Sequence, residues 1–521
     1  MNRATPSATL WRGLLFYFKS KQMRQYKWIG ALLAVAFLGN GAFAQAPQES
    51  EDVILQGFYW DSQQTTGWQQ LQNYMDDMAR SFTCVWLPPS AQAEGATNVG
   101  GNNVGYHPRQ WNNQNSCWGT ADQLKNLIAN FHQHDVRVIA DIVVNHRAGA
   151  TDWGNFTYDD FGPYGQYQLT ADHICKGDEM NTDPAAGKWN GMGKGATDTG
   201  ENWGGARDLD HTSTYVQQDV TAYLSWLKGD FGYDGWRYDF VKGFAPRYVE
   251  LYNKTSQPYL SVGEFWDGSY DKVAAWIEGT GKQSMAFDFP MKYAALNNGL
   301  ANSNYAAMSW IEDNKTWRPA GMIHHHKYNR YAVTFVDNHD TYRDGSKFKG
   351  YVEQAYAFLL SSPGVPCVFW PHWRKYQKAI DNQIAVRKAA GIHSQSDVVV
   401  TVKDKYYESK AEGKYGQLIC RIGFAAPKKA PQGYHLAASG SNWWYYLSDN
   451  LTGIEHADNA EVCTLSGNHL IINTLHPTAI QLVNVEGKVL YEAFTNHYDT
   501  TLSPDRYVIK VGKKVYKISI K

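Results

Sequence analysis

From about residue 51 onward, short apolar runs alternate with stretches of helical period. The runs Val53–Trp60, Thr83–Pro88, Val136–Val144, Gly235–Phe240, Tyr259–Phe265, Met285–Phe289, Ala332–Val336 and Val365–Trp370 read as strands. Helical patterns fall between them, among others at Trp68–Phe82, Ala121–His134, Thr214–Phe231 and Tyr351–Ser361. Strand–helix units repeated in this way predict an α/β fold, a closed (β/α)8 barrel of parallel strands. An open doubly wound sheet is the competitor, but no Gly-rich phosphate fingerprint follows the first strand.

The spacing breaks once. Between Val144 and Gly235 the chain is too long for one crossover helix, and residues 147–211 are rich in Gly, Asp, Asn and Trp without sustained period. An inserted lobe after the third strand is therefore expected. Past about Ile392 the helical pattern stops, and Val398–Val402, Gln417–Ile422 and Trp443–Leu447 predict an antiparallel β domain. A further meander is expected from His469–Asn473, Ile480–Val483, Lys488–Ala493, Arg506–Val511 and Lys514–Ile520, turning at Glu486-Gly487 and Gly512-Lys513. The expected division is a barrel over 51–146 and 212–393, a lobe over 147–211, a β domain over 394–455 and an appendage over 456–521.

The start of the chain differs. Lys19, Lys21, Arg24 and Lys27 precede the apolar run Trp28–Leu38, and Ala42-Phe43-Ala44 is a small-x-small cleavage pattern. The run is too short to span a bilayer, so residues 1–44 are expected to be a signal peptide of an exported protein: secreted, cell-surface or periplasmic. An uncleaved anchor is the alternative. Export permits disulfides, yet the six Cys show no CxxC spacing and fix no pairing; free buried thiols fit equally well.

A formal net charge of −1 gives no electrostatic case for nucleic acid or an anionic membrane surface. The chain carries 20 Trp, 34 Tyr and 21 Phe, enough to furnish flat platforms for sugars as well as a large core. Active sites of parallel barrels form at the C-terminal strand ends. Those ends carry Asp141 through Asn145 and His146, then Arg237 and Asp239, then Glu264 with Trp266, then Asp337 through His339 and Asp340. Three carboxylates, Asp239, Glu264 and Asp340, would converge there. Glycosidic cleavage needs such a set, one carboxyl protonated and another ionised.

The blocks DIVVNH (141–146), GWRYDFVKG (235–243), GEFW (263–266) and FVDNHD (335–340) resemble, in order and spacing, the four motif regions of the alpha-amylase family of glycoside hydrolases. ILQGFYWDS (54–62), ICKGD (174–178) and DLDH (208–211) bring the likeness closest to plant-like members. The resemblance implies Asp239 as nucleophile, Glu264 as acid/base and Asp340 as the third acid. It implies substrate contacts at Tyr106, His146, Arg237, Lys242, Trp266 and His339, and a Ca²⁺ held by Asn145, Asp198, Asp208 and the carbonyls of Glu201 and Gly243. It further implies starch, glycogen and maltooligosaccharides as partners of a monomer. A maltooligosaccharide-forming or transglycosylating relative and a non-catalytic glucan-binding protein are the rival readings. The closing run LVNVEGKVLYEA to LSPDRYVIKVGKKVYKISIK resembles β-rich sorting domains of type IX secretion, with a plain β appendage as the alternative.

Overall fold

The computed structural model describes residues 45–94, 104–150, 154–178, 193–312, 314–343, 345–450, 462–466, 468–512 and 514–520. The signal peptide expected over 1–44 lies outside them. Eight parallel strands close a barrel: β1 (Ile54–Gln56), β2 (Cys84–Trp86), β3 (Arg137–Ile142), β4 (Gly235–Tyr238), β5 (Ser261–Gly263), β6 (Met285–Phe287), β7 (Ala332–Phe335) and β8 (Val365–Phe369). Each pairs with its neighbours in sequence, and β8 closes on β1 with Cys367 beside Ile54. The strands are buried throughout, which explains why they read as continuous apolar runs rather than alternating ones.

Helices α1 (Met75–Ser81), α2 (Ala121–Gln133), α3 (Thr214–Trp226), α4 (Pro246–Ser256), α5 (Tyr270–Gly279), α6 (Val352–Leu360) and α7 (Trp370–Ala390) connect them. In α2, Thr120 and Gln123 form a capping box, and Leu124, Leu127, Ile128 and Phe131 bury one face. Each such side chain contributes roughly 1.5–3 kcal/mol by leaving water. The last residue of β5, Gly263, carries no side chain where a Cβ would lie 2.2 Å from the Trp276 ring of α5.

Two elements differ from the periodicity. The helix expected over Trp68–Phe82 is broken into Trp68–Leu71, a tight turn Gln72–Tyr74 and α1, since Tyr74 leaves helical φ at −114°. The first strand stops at Gln56, and Phe58 to Trp60 instead pack as aromatic wall above the barrel: apolar content there serves stacking, not a ladder.

The inserted lobe is tied together by short ribbons, His146–Arg147 with Arg207–Asp208 and Tyr158–Asp160 with Gln166–Gln168. At its centre the fully buried Arg147 pairs with Asp159. After the barrel come β9 (Asp397–Lys403), β10 (Tyr407–Glu412), β11 (Gln417–Ile422), β12 (Tyr434–Gly440) and β13 (Trp443–Ser448), an antiparallel sheet in the order 9-10-11-13-12. Its inner face rests on α6, where the Tyr445 hydroxyl donates to the Ala357 carbonyl at 2.6 Å. A last sheet holds β14 (Val462–Ser466), β15 (His469–Asn484), β16 (Val489–Thr501), β17 (Arg506–Val511) and β18 (Lys514–Ser519). The two strands expected at His469–Asn473 and Ile480–Val483 are one long strand, irregular in register between Asn473 and Thr478. Cys84, Cys117, Cys175, Cys367 and Cys420 are free thiols. Among the described residues no helix is long and apolar enough to cross a membrane.

Candidate active site

Strand register decides where the charges meet. Arg237 of β4 lies beside Asp141 of β3, and Tyr238 lies beside Gly263, one residue before Glu264. The Arg237 side chain is fully buried and sits 2.7 Å from each of Asp141 Oδ1, Asp239 Oδ1 and Glu264 Oε1. Nη1 donates to Asp141 and to Asp239. The Nη2–Glu264 contact is equally short but lacks hydrogen-bond alignment, so it acts as a charge contact. The Trp86 ring backs the guanidinium at 5.0 Å.

Three carboxyls against one cation cannot all ionise at low cost in a dry pocket. Burial raises Glu264 to about 8, with Asp239 and Asp340 adding to the effect and Arg237 opposing it. Burial likewise raises Asp141 to about 6 against the pull of Arg237. Asp340 goes the other way: burial would raise it, but His339, Arg237 and Trp60 outweigh burial and hold it below the usual carboxylate range. Glu264 is thus kept protonated near neutrality while Asp340 stays ionised.

The backbone is shaped to bring these groups together. Phe240, directly after Asp239, takes a left-handed φ of +39°, a strained conformation for a bulky residue. Its N–H donates to Glu264 Oε2 at 3.2 Å. In the loop after β7, Asn338 Oδ1 accepts from the N–H groups of Asp340 and Thr341, which curls Asp340 back over the barrel. Trp60 Nε1 donates to Asp340 Oδ1 at 3.2 Å, and His339 Nε2 lies 3.1 Å from Oδ2.

Tyr106 stacks on His339 with ring centres 5.1 Å apart and 9° between planes, and its hydroxyl donates to Asp141 at 2.8 Å. His146 Nε2 donates to the Tyr106 carbonyl at 2.9 Å, and burial lowers His146 to about 4, leaving it neutral. Tyr106, His146, Arg237 and His339 therefore join Asp239, Glu264 and Asp340 in one cluster. Lys242 and Trp266 face other partners: Lys242 Nζ is 2.9 Å from Glu201, and Trp266 donates to Tyr293 and stacks on Phe289.

Residues 64–372 match the family profile described as the alpha amylase catalytic domain. The chain is 30% identical over 424 residues to Probable alpha-amylase 2 of Arabidopsis thaliana, covering 76% of this chain and 94% of that protein. The chain belongs to the alpha-amylase family. It is also 30% identical over 413 residues to Alpha-amylase 3, chloroplastic, of the same plant, covering 75% of this chain and 44% of that protein. The crystal structure of the alpha-amylase from Geobacillus thermoleovorans complexed with acarbose shares the fold, with TM-score 0.53 and 14% identity over 90% of this chain and 99% of that one. The protein is a glycoside hydrolase of this family.

Three residues of this amylase-family site escape a motif reading. Asp141 opens the DIVVNH block, but its pairing with Arg237 depends on strand register. Trp60 lies where the first apolar run leaves its strand. Trp203 stacks on His146 at 4.0 Å from within the lobe, where no period announces it.

The residues that the family likeness offers to calcium also meet. Asn145 Nδ2 donates to Asp208 Oδ1 at 3.1 Å. A Cβ on Gly243 would lie 2.0 Å from Asn145 Oδ1, so this amide oxygen rests against the Gly243 backbone. Asp198 accepts from the Gly200 N–H, Gly200 packs on Lys242 and Gly243, and the Glu201 N–H donates to the Lys242 carbonyl. Asp198 Oδ2 is buried with no hydrogen-bond partner. Among the described residues no three His, Cys, Asp or Glu side chains gather as a metal group; this donor set depends on an amide and carbonyls besides two carboxylates. Hard oxygen donors of that kind fit Ca²⁺.

Proposed function

We propose that this protein is an endo-acting alpha-amylase that hydrolyses internal α-1,4 bonds of starch, glycogen and maltooligosaccharides with retention of configuration. The observation that carries this is one buried guanidinium touching both Asp239 and Glu264. It keeps the two carboxyls side by side, which suits the separation of about 5–5.5 Å used in double displacement. A gap of about 6.5–9.5 Å would instead leave room for a water.

In this reading Glu264, protonated near neutrality, gives its proton to the glycosidic oxygen as that bond breaks. Asp239, positioned by the hydrogen bond from Arg237, attacks the anomeric carbon and forms a glycosyl ester. Glu264, now ionised, takes a proton from water, which attacks the same carbon and releases Asp239. Asp340 supplies fixed negative charge near the oxocarbenium-like centre. Tyr106 offers a ring face to the sugar; His146 and His339 offer hydrogen bonds to its hydroxyls. The family likeness gives Lys242 and Trp266, which here contact Glu201 and Tyr293, as further substrate contacts.

Members of the family generally bind calcium, and Ca²⁺ here would be held by Asn145, Asp198, Asp208 and the carbonyls of Glu201 and Gly243. When bound, the ion supplies a rigid tie between the lobe and the end of β4. Chelation is then expected to lower the melting temperature and activity together; a protein indifferent to chelator in both would rule the ion out. Residues 1–44 fit a cleaved leader and hence export, and the protein acts as a monomer.

The reading is tested by incubating the protein with soluble starch and counting new reducing ends. Wild type should release them, and Asp239→Asn should release fewer by at least about 10⁴-fold at unchanged melting temperature. Retention of glucan by wild type without new reducing ends would instead identify a binding protein.

A further inference from the structure

Helix α3 carries an unusual outer face. Thr214, Gln217, Gln218, Thr221, Ala222 and Ser225 follow one another at helical spacing along it. The only charge in the helix is Asp219, and that side chain is buried. A surface helix ordinarily turns charged residues to water. Here the uncharged face forms the floor of a groove of about 350 Å³. Tyr164 and Tyr167 of the inserted lobe and Leu251 and Thr255 of α4 complete its lining. Leu251 is 37% exposed. No charged side chain and no residue of the catalytic cluster lines the groove.

The rings are held rather than loose. The Tyr164 hydroxyl lies so near Gly229 that a Cβ there would meet it at 1.9 Å, and Tyr167 packs edge-on against Tyr215 at 5.4 Å. Asp159, opposite Tyr167 in its ribbon, is fixed by Arg147 and anchors that part of the lining.

We propose that this groove is a second binding site for α-glucan chains, apart from the catalytic mouth. The chemistry selects the ligand class. A phosphate or carboxylate would need a cationic side chain, and a metal would need anionic ones. A lipid or apolar helix would want a lining free of hydrogen-bonding groups, whereas here the amides of Gln217 and Gln218 and the hydroxyls of Thr214, Thr221 and Ser225 interrupt an apolar surface. A glucan is neutral, offers apolar C–H faces to tyrosine rings, and presents hydroxyls that Gln217, Gln218 and Thr221 can both donate to and accept from. The inference rests on the glucan-hydrolase reading and adds to it a way of holding a polymer while another of its chains is cut.

The test is affinity electrophoresis in native gels containing glycogen, paired with a maltoheptaose hydrolysis assay. Two variants are compared with wild type: Tyr164→Ala/Tyr167→Ala, and Gln218→Glu/Ser225→Glu, which adds charge on the helix surface without removing packing. Both should need about tenfold more glycogen for the same retardation while cleaving maltoheptaose at the wild-type rate. If the charged variant is retarded as strongly as wild type, the groove is not a glucan site. Wild type that fails to cleave maltoheptaose would instead strike the hydrolase reading itself, so the two failures are distinguishable.

Discussion

Around Arg237 the low-dielectric interior works for catalysis rather than for stability. Desolvation that would be wasteful elsewhere keeps Glu264 protonated up to about 8. In the proposed mechanism Glu264 enters the reaction as an acid, so kcat/KM should fall as pH rises through an alkaline limb near that value. A pH profile flat to pH 10 would remove Glu264 from the acid role. A second buried carboxyl has no such use. Asp219 is fully buried, neither oxygen has a hydrogen-bond partner, and burial with help from Asp159 raises it well above its ordinary value. Its folded pKa lies above the unfolded value of about 3.9, so the cost of ionising it is absent below that pH and grows as pH rises. Asp219→Asn should therefore stabilise the fold at pH 7, by an amount of order 1 kcal/mol, and the gain should vanish toward about pH 4. Thermal melts of both proteins across that range decide it.

At the scale of elements, the barrel was legible because parallel strands buried on both faces must read as continuous apolar runs. The convergence of Asp239, Glu264 and Asp340 followed from strand order alone. What escaped was whatever depended on register or on irregular chain. Asp141 gains its meaning only from its pairing with Arg237. Trp203 reaches His146 from a loop without period. Strands β10 and β12 escape an apolar-run reading because their outward-facing residues are polar, as in the burial alternation of Tyr407–Glu412. The long β15 read as two strands because its apolar content lapses where its register is irregular. The contact of Asn145 with Gly243 makes an element-scale prediction. Gly243→Ala would push Asn145 aside, since the new Cβ would fall 2.0 Å from its oxygen. Melting temperature should drop, and the rise that the proposed calcium site predicts for wild type on adding calcium should be lost. An unchanged calcium response, followed by differential scanning calorimetry, would contradict that account.

For the whole molecule, the hydrophobic cores show which parts stand alone. The barrel and the β9–β13 sheet share one core, with Tyr407, Leu418 and Tyr445 inside it. The last sheet has its own, built on Leu470, Ile472, Ile480, Leu482 and Ile509. Chain ending at residue 450 should therefore keep its melting temperature and its activity on starch; loss of either would show that the appendage supports the catalytic unit. The central claim is that Asp239 and Glu264, paired beneath Arg237, perform a double displacement. Proton NMR of a maltoheptaose digest, followed within minutes of mixing, tests it most directly. The α-anomer should appear first and convert to β only by slow mutarotation, whereas a β-anomer appearing first would contradict it.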